Sequence, residues 1–512
     1  MKVGSTFTEI HLIKSNVTIL KNLGINSLEE PIIYLRADSF ICKSEGFLAQ
    51  SKVSVTLNDV SIIATLHTID SNILKINEAS LSQHAWTLLS AHEGAEISLS
   101  HPSSIASTSS IRSKIYGHEL KYPEIESIVK DMISGHLSST NVSMFIAACI
   151  GNKLTSFEVV SLTQAMIITG QKITWSSPLI VDKHSIGGLS GNRTTPIVVA
   201  IVAAYGLYIP KTSSRAITSS SGTADTMEVF TNVTLDINSM RRIVEKEHGC
   251  VAWGGSISLS PADDMFIRLL KTLNLHSQGQ MVASIMSKKI AAGSNHILID
   301  VPIGPTAKIR DLESAKELKK LLEYVAKQFD VEIKVLFSDG NQPIGQGIGP
   351  GLEAQDIWAV LNNTADAPTD LRDNALKLAG ELIEFSPKVK AHQGLSIAKN
   401  ILASGKALKK FIDICEAQGG LRKIPKAAYT HTLEASHSGT IISINNGHLA
   451  TLAKLAGAPE MKAAGVKLLV QLNKKIEKNQ PLMIIHAETH GQLNYALEYI
   501  HRGNEIFDIK RD

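Results

Sequence analysis

The chain has 512 residues, of which 44% are hydrophobic and 19% are charged. A chain of this length forms roughly two to four domains that each bury a core, and its apolar content excludes wholesale disorder. Fifty-one basic and 48 acidic residues give a net charge of +3, which is too balanced for a dedicated nucleic-acid binder. The four cysteines form no CxxC pair, which fits a reducing compartment.

The sequence predicts no membrane segment. The longest apolar run, residues 196–210, holds 15 residues, is bounded by prolines and contains Gly206. A membrane-spanning helix needs about 20 residues. The first residues lack the apolar stretch and the small-residue cleavage site of a signal peptide. We therefore expect a soluble cytoplasmic protein that binds neither nucleic acid nor membranes.

Residues 1–100 are expected to form a small β-rich domain. Short segments rich in β-branched residues, separated by turn residues, predict strands at 32–36, 52–57, 61–66 and 73–76. The serine-rich stretch that follows predicts a linker over residues 101–121.

Residues 122–178 are expected to form a helical lobe. Pro123 suits the first position of a helix, and Thr155 with Glu158 forms a capping box. The spacing of the apolar residues predicts helices over about 122–134, 141–150 and 155–170.

The rest of the chain alternates strands with helices. Within residues 179–405, strands are predicted at 179–181, 207–210, 297–302 and 331–337, with helices at 195–205 and 312–329. Residues 406–512 are expected to be α+β, with a helix at 461–476 and strands at 440–444 and 483–487. The predicted fold class is thus α/β. It comprises a helical lobe and a larger α/β lobe of inferred parallel strand order, preceded by a small β-rich N-terminal domain and followed by an α+β C-terminal domain.

The first polar cluster, residues 182–195, lies between a predicted strand and a predicted helix. Its glycines let backbone N–H groups approach an anion, and the N-terminus of the helix carries a partial positive charge. Lys183 adds a full charge, and Ser185, Thr194 and Thr195 add hydroxyl donors. The cluster matches neither a P-loop nor a GxGxxG motif, and an ordinary glycine-rich connection is the alternative.

The second polar cluster, residues 211–226, also follows a predicted strand. It contains five serines, four threonines, a lysine and an arginine. Burying them without a ligand or a dense hydrogen-bond network would be costly, although a solvated serine-rich loop is the alternative. Two such loops, each at a strand end, predict an oxyanion site.

A third segment, residues 279–289, is predicted to be helical. Ser284 and Lys288 lie four residues apart and therefore project from one face, where they could hold a polar planar group. A solvated surface pair is the alternative. The glycine-rich segment 345–351 resembles a phosphate loop, but we expect a structural turn there. The histidines lack zinc-ligand spacing, so no metal site is predicted.

The motifs at 182–188, 214–228 and 283–289 resemble those of the thymidine/AMP phosphorylase family. The resemblance runs from about residue 122 to the C-terminus, and the N-terminal region is similar to that of the longer members. The family implies a cleft between the helical lobe and the α/β lobe, in which phosphate and nucleoside meet. It also implies phosphorolysis, in which phosphate attacks the anomeric carbon, the base leaves and a sugar 1-phosphate forms with inversion. It implies no cofactor, because inorganic phosphate is a substrate, and it implies a nucleoside or nucleotide as the second substrate. It also implies a homodimer or a larger homo-oligomer.

The resemblance also implies roles for individual residues. The phosphate-binding positions are Lys183, Ser185, Thr194 or Thr195, Ser213 or Ser214, and Thr223. The nucleoside-binding positions are Gly188, Arg215, Ile217, Thr218, Ser219, Arg268, Ser284, Lys288 and Lys308. One departure concerns catalysis: His276 stands where nucleotide-using members have an aspartate proton donor. His276 could protonate the leaving base, with His184 as the alternative.

The leading hypothesis is a pyrimidine nucleoside phosphorylase that converts thymidine and phosphate into thymine and 2-deoxy-D-ribose 1-phosphate. The nearest alternative is an AMP-type nucleoside-monophosphate phosphorylase that yields a base and ribose 1,5-bisphosphate. A magnesium-dependent phosphoribosyltransferase is more distant, since only Asp263 and Asp264 form an acidic pair placed to hold the metal. A non-catalytic binding protein is the last alternative.

Overall fold

The computed structural model describes residues 17–27, 30–102, 105–151, 153–216, 219–273 and 277–511. The chain divides into two compact units, Met1–Ala148 and Cys149–Asp512. This division falls inside the predicted helical lobe, residues 122–178. Among the described residues, no helix is both long enough and apolar enough to cross a membrane.

The first unit contains a closed β-barrel with the strand order β1-β5-β2-β4-β3-β6. Its strands are β1 (Val17–Leu20), β2 (Ile32–Arg36), β3 (Lys52–Leu57), β4 (Val60–Ile69), β5 (Glu78–Leu81) and β6 (Glu96–Ser100). Two short helices accompany them, α1 (Phe40–Glu45) and α2 (Gln83–Leu88). Every second side chain of β3 is buried, which is the pattern of a strand with one face on a core.

The strands predicted at 32–36, 52–57 and 61–66 are present. The strand predicted at 73–76 is wrong, because this segment forms turns. Leu74 is buried there while Ile73 and Ile76 are exposed, so its β-branched residues do not cover a core face.

Three helices complete the first unit: α3 (Ser107–Ile115), α4 (Tyr122–Ile133) and α5 (Ser139–Ala148). Helix α3 corrects the linker predicted over 101–121. Serine has a low propensity for helix interiors. Helix α3 nevertheless packs on α4 and α5 and buries Ile111, and the Ser107 hydroxyl donates a hydrogen bond to Asp131 at 2.7 Å. Tertiary packing therefore overrides local propensity here.

The second unit is built on parallel strands. They are β7 (Val181–Ser185), β8 (Ile209–Ser213), β9 (Gly249–Trp253), β10 (His296–Ile303) and β11 (Glu332–Asp339). Strands β11, β10 and β7 form a three-stranded sheet in that order, and β8 and β9 form a two-stranded sheet. A parallel bridge between Ile180 and Tyr208 joins the two sheets. All these pairings are parallel, which confirms the inferred order. The carboxyl ends of the strands consequently share one edge, the usual place for a ligand in such sheets.

The helices of the second unit precede, connect and follow these strands. They are α6 (Ser156–Ile168), α7 (Thr194–Tyr205), α8 (Thr223–Phe230), α9 (Ile237–Glu247), α10 (Pro261–Leu273), α11 (Gln278–Ala291), α12 (Leu312–Gln328), α13 (Pro350–Leu361), α14 (Thr369–Ile383), α15 (Gly394–Ala403) and α16 (Lys406–Ala417). Helix α6 begins with the predicted capping box of Thr155 and Glu158.

Helix α7 contains most of the apolar run at residues 196–210. It is buried from Thr194 to Ala203 and packs against α14, α15, α16 and β9, so it is a central core helix. Helix α16 contributes Phe411 and Ile414 to the same core. The domain boundary predicted between residues 405 and 406 therefore falls inside this core.

Two further sheets complete the second unit, with the orders β12-β15-β17-β13 and β16-β14-β18. Their elements are β12 (Gly347–Ile348), β13 (Tyr429–Glu434), β14 (Gly439–Ile444), α17 (Asn446–Leu455), β15 (Gly465–Leu468), β16 (Lys475–Ile476), β17 (Pro481–Ala487), α18 (His490–His501) and β18 (Phe507–Lys510). The strands predicted at 440–444 and 483–487 are confirmed. The helix predicted at 461–476 is wrong, because Val466 and Leu468 alternate into the core as strand residues.

Candidate active site

The two polar clusters meet at the carboxyl edge of the parallel sheet. Ser185 ends β7 and pairs in register with Asp300 of β10, while Ser213 ends β8 and pairs with Trp253 at the end of β9. Strand β7 continues four residues beyond the predicted end at 181. Lys183 and Ser185 therefore lie on the strand itself, which holds their positions more rigidly than a loop.

Lys183 is a buried cation at this edge. Its side chain is among the largest that are fully buried, and Nζ donates a hydrogen bond to Thr194 Oγ1 at 2.8 Å. Burial lowers the pKa of Lys183 to about 8, although the Asp300 carboxylate acts in the opposite direction. A charged ammonium without water is costly, and an anionic ligand would offset that cost.

Two more buried lysines, Lys211 and Lys289, lie beside Lys183. Sequence analysis included Lys211 in the second polar cluster without giving it a role, and it missed Lys289. Lys289 Nζ lies 2.7 Å and Lys211 Nζ lies 3.5 Å from the carboxylate of Asp182, which is fully buried. Burial lowers the pKa of Lys211 well below its usual range. Three buried lysines thus lie near the buried carboxylates of Asp182 and Asp300, and an anion bound there would favour the charged forms of Lys183 and Lys211 that burial disfavours. The available signal was Asp182 within a buried strand, because a buried carboxylate requires a cationic partner.

Several predicted phosphate-binding hydroxyls surround this cluster. Ser185 Oγ donates to Asp300 at 2.9 Å, so a phosphate would compete for that hydrogen bond. Ser213 Oγ is buried and has no hydrogen-bond partner among the described residues. An unpaired buried hydroxyl is uncommon and suits a ligand contact. Thr195 is buried in the first turn of α7, and Thr223 begins α8. Ser214 is exposed at the end of β8.

Arg215 is held inside its own loop. Its guanidinium donates to both carboxylate oxygens of Glu228 at 2.7 and 2.8 Å and to Asp225 at 3.1 Å. The guanidinium carbon also lies 4.8 Å from the centre of the Trp253 ring. Ser219 Oγ donates to the carbonyl of Ser221, also within the loop. These contacts organise the loop, and the nucleoside contacts of Arg215 and Ser219 remain predictions.

Ser284 and Lys288 do face each other on α11. Lys288 Nζ donates to Ser284 Oγ at 3.2 Å and to Asp263 Oδ2 at 2.5 Å. Asp263 is buried, and sequence analysis missed its role as the partner of Lys288. The next residue of the helix, Lys289, pairs with Asp182. Helix α11 therefore brings the predicted base-binding pair next to the buried lysines.

His184 is buried within the electrostatic influence of several lysines. Burial, followed by the positive charges of Lys289 and Lys211, lowers the pKa of His184 well below its usual range. The charges of Lys288 and Lys308 act in the same direction. The imidazole is therefore neutral at physiological pH, so it can donate one hydrogen bond but is not a ready imidazolium acid.

Gly188 lies against the backbone of Lys308. A Cβ atom at Gly188 would lie 2.4 Å from the Lys308 nitrogen, and Gly188 has a φ of +94°. Both observations require glycine, and they bring two predicted nucleoside-binding positions together.

We expect Gly188→Ala to destabilise the fold by about 1–2 kcal/mol or more and to raise the KM for the nucleoside. Gly187→Ala is the matched control, because Gly187 has a φ of +88° but nothing lies within 4 Å of its added Cβ. Thermal unfolding and steady-state kinetics of both variants would test this. Equal KM values for the two variants would contradict a special requirement at Gly188.

Four predicted site positions lie wholly or partly outside the described residues. Ile217, Thr218 and His276 lie outside the described residues, and so does the side chain of Arg268. Their roles remain predictions.

The glycine-rich segment 345–351 is the expected structural turn. The N–H of Gly345 donates to Asp370 at 3.0 Å, and the N–H groups of Gln346 and Gly347 both donate to Asp356 at 2.7 Å. Carboxylates thus occupy the donors that a phosphate loop would offer to its ligand. Across the described parts of the chain, no group of three or more His, Cys, Asp or Glu residues could hold a metal ion.

Comparisons with known proteins identify the family of this chain. A family model described as "Glycosyl transferase family, helical bundle domain" matches residues 108–170, and one described as "Glycosyl transferase family, a/b domain" matches residues 177–408. Two curated relatives carry the name "Putative thymidine phosphorylase". One, from Legionella pneumophila (strain Corby), is 52% identical over 95% of this chain and 94% of its own length. The other, from Polaromonas sp. (strain JS666), is 49% identical over 96% of both chains.

A solved structure, anthranilate phosphoribosyltransferase from Thermus thermophilus, shares the fold with a TM-score of 0.51 and 16% identity. It covers 60% of this chain and 98% of its own. The fold and the family matches define a pentosyltransferase enzyme. Within that class, the chain belongs to the thymidine/AMP phosphorylase family.

Proposed function

We propose that the protein cleaves pyrimidine nucleosides by phosphorolysis, converting thymidine and phosphate into thymine and 2-deoxy-D-ribose 1-phosphate. The observation that carries the proposal is the pair of neighbouring lysines on α11. Lys289 forms an ion pair with the buried Asp182 in the lysine cluster, whereas Lys288 donates a hydrogen bond to Ser284. An anion and a polar planar base would thus bind side by side.

The phosphate-binding end of the site would supply positive charge and would fix the position of the phosphate. Lys183 and the surrounding hydroxyls would hold the phosphate through charge-assisted hydrogen bonds in a site without water. A phosphate oxygen would then form a bond to the anomeric carbon of the sugar while the bond from that carbon to the base breaks. Holding both reactants in place removes much of the entropic cost of this step.

The base end of the site would stabilise the leaving group. Ser284 Oγ accepts a hydrogen bond from Lys288, so its own proton is available to a carbonyl oxygen of a pyrimidine. The Lys288 ammonium would stabilise negative charge as the electron pair of the broken bond moves to the base. Asp263 keeps this ammonium in place. A proton from His276, or a hydrogen bond from His184, would complete the departure.

The preferred substrate can be tested directly with purified protein. We expect kcat/KM for thymidine to exceed that for uridine and for adenosine monophosphate, each measured as base release in the presence of phosphate. The names of the two relatives support thymidine. A higher kcat/KM for adenosine monophosphate would contradict thymidine as the substrate.

A second candidate is the AMP-type reaction, which would yield a base and ribose 1,5-bisphosphate. It is favoured by the position of Lys308, whose backbone lies against Gly188. Desolvation and then the charge of Lys288 lower the pKa of Lys308, as expected for cations that share one site. Such a cation would suit a 5′-phosphate. If this candidate is correct, Lys308→Ala should weaken the use of adenosine monophosphate and leave thymidine turnover nearly unchanged.

Phosphate use should depend on pH through Lys183. The ammonium is present below its pKa of about 8 and is lost as the pH rises through that value. We therefore expect kcat/KM for phosphate to fall by about tenfold for each pH unit above this range, since its pH dependence reports the enzyme form to which phosphate binds. A pH profile at saturating thymidine checks this. A profile that stays flat well above pH 8 would contradict the role of Lys183.

The resemblance to the family also supports a homodimer or a larger homo-oligomer. Light scattering after size-exclusion chromatography would test this part of the proposal, and a monomer at micromolar concentration would contradict it.

A further inference from the structure

The two polar clusters are joined by one arginine. Arg193 stands at the end of the first cluster, immediately before α7. Its Nη2 donates to the carbonyl of Ser221, in the second cluster, and its Nε lies 3.2 Å from Thr226 Oγ1 in α8. The relative position of the two clusters is therefore set in part by where this guanidinium is held.

The guanidinium is held by a carboxylate from a distant part of the chain. Glu353 lies on α13, and its side chain is only 1% exposed. Glu353 Oε2 accepts hydrogen bonds from Arg193 Nε at 2.6 Å and from Thr226 Oγ1 at 2.6 Å. Glu353 Oε1 accepts a longer hydrogen bond, 3.4 Å, from the N–H of Gly349. One buried carboxylate thus contacts both polar clusters and the turn that precedes its own helix.

We infer that Glu353 is a positioning residue for phosphate binding, acting through Arg193 and Thr226 to fix the distance between the two clusters. The inference rests on the proposed function, because it assumes that phosphate binds between them. Lys183 and Thr194 belong to one side, and Ser213 and Thr223 to the other. A dianion that contacts both sides binds tightly only if their separation is fixed before it arrives.

The geometry favours this role over simple stabilisation. Buried ion pairs stabilise folds weakly compared with apolar residues, whereas they fix geometry when every lone pair is satisfied. Here both oxygens of Glu353 have hydrogen-bond donors, and the donors come from three different segments. Loss of the negative charge would leave the Arg193 guanidinium, which is 11% exposed, without its carboxylate partner.

The first test is Glu353→Gln, which keeps the shape of the side chain and removes its charge. Because Glu353 would act through Arg193 and Thr226, we expect the KM for phosphate to rise about tenfold, with kcat at saturating phosphate changed less than about twofold. The dissociation constant of inorganic phosphate, measured by calorimetry on the free enzyme, should rise by the same factor. Thr226→Val removes one donor only, so it should show a smaller rise and serves if Glu353→Gln folds poorly.

Asp356→Asn is the matched control. Asp356 lies on the same helix, is also buried, and accepts hydrogen bonds from Gln346 and Gly347 rather than from the two clusters. We expect it to leave phosphate affinity unchanged. An equal loss of phosphate affinity in Asp356→Asn and Glu353→Gln would overturn the inference, because it would show that any damage to α13 has this effect.

A double variant tests the route through Arg193. Arg193→Met combined with Glu353→Gln should lose less phosphate affinity than the sum of the two single losses, since residues that act as one unit are not additive. Additive losses, or an unchanged phosphate affinity in Glu353→Gln, would overturn the inference. If the wild-type enzyme binds phosphate more tightly than Glu353→Gln but releases no base, the positioning role is supported and the proposed reaction is contradicted.

Discussion

Replacing Lys183 with alanine should lower kcat/KM for phosphate by about 100-fold, since a charge-assisted hydrogen bond contributes about 1.5–3 kcal/mol. Lys183 Nζ is buried at the carboxyl edge of the sheet and is oriented by Thr194. Steady-state kinetics at varied phosphate concentration would measure the loss.

The fold should tolerate Lys183→Ala. The charged ammonium is already disfavoured by burial, and Asp300 retains hydrogen bonds from Ser185 and Ser338. We therefore expect little change in the thermal unfolding temperature. Lys316→Ala is the control, because Lys316 is exposed on α12 and pairs with its neighbour Glu313. Activity of Lys183→Ala within about twofold of the control would contradict the site, because loss of even one net hydrogen bond costs more.

Replacing Lys288 with alanine should lower kcat by about 100-fold and change the KM for phosphate by less than about threefold. The reason is that Lys288 pairs with Ser284 and Asp263 rather than with Asp182, and would act only when charge develops on the base. Steady-state kinetics with thymidine would separate the two constants.

Asp263→Asn refines the test of Lys288. The amide keeps a hydrogen-bond acceptor but removes the charge that orients the ammonium, so we expect a smaller loss in kcat, about tenfold. The pattern to look for is a loss in kcat for both variants with phosphate affinity retained. A rise in the KM for phosphate without a loss in kcat would contradict the assignment of Lys288 to the base.

Short-range sequence patterns predicted the segments that form the candidate site. Glycines and hydroxyls clustered at two strand ends are a local signal, and the parallel register then brings Ser185 and Ser213 to one edge. The spacing of Ser284 and Lys288 is equally local, because four residues on a helix share one face.

What the sequence missed depends on contacts between distant segments. In the sequence, Lys289 resembles an exposed helical lysine. Its ion pair with Asp182 of β7 forms only in the folded chain. Glu353 similarly lies 160 residues from Arg193. The same reason accounts for helix α3, whose serines carry no helical signal until α4 and α5 pack against it.

The central claim is that inorganic phosphate is consumed at this site as the base leaves. The most direct measurement is thymine release from thymidine by purified protein with and without phosphate, with EDTA present and with sugar 1-phosphate quantified alongside. We predict release that requires phosphate, resists EDTA and yields one sugar 1-phosphate for each thymine. Release without phosphate would show hydrolysis instead, and no release from thymidine or from any nucleoside monophosphate would contradict the proposed reaction.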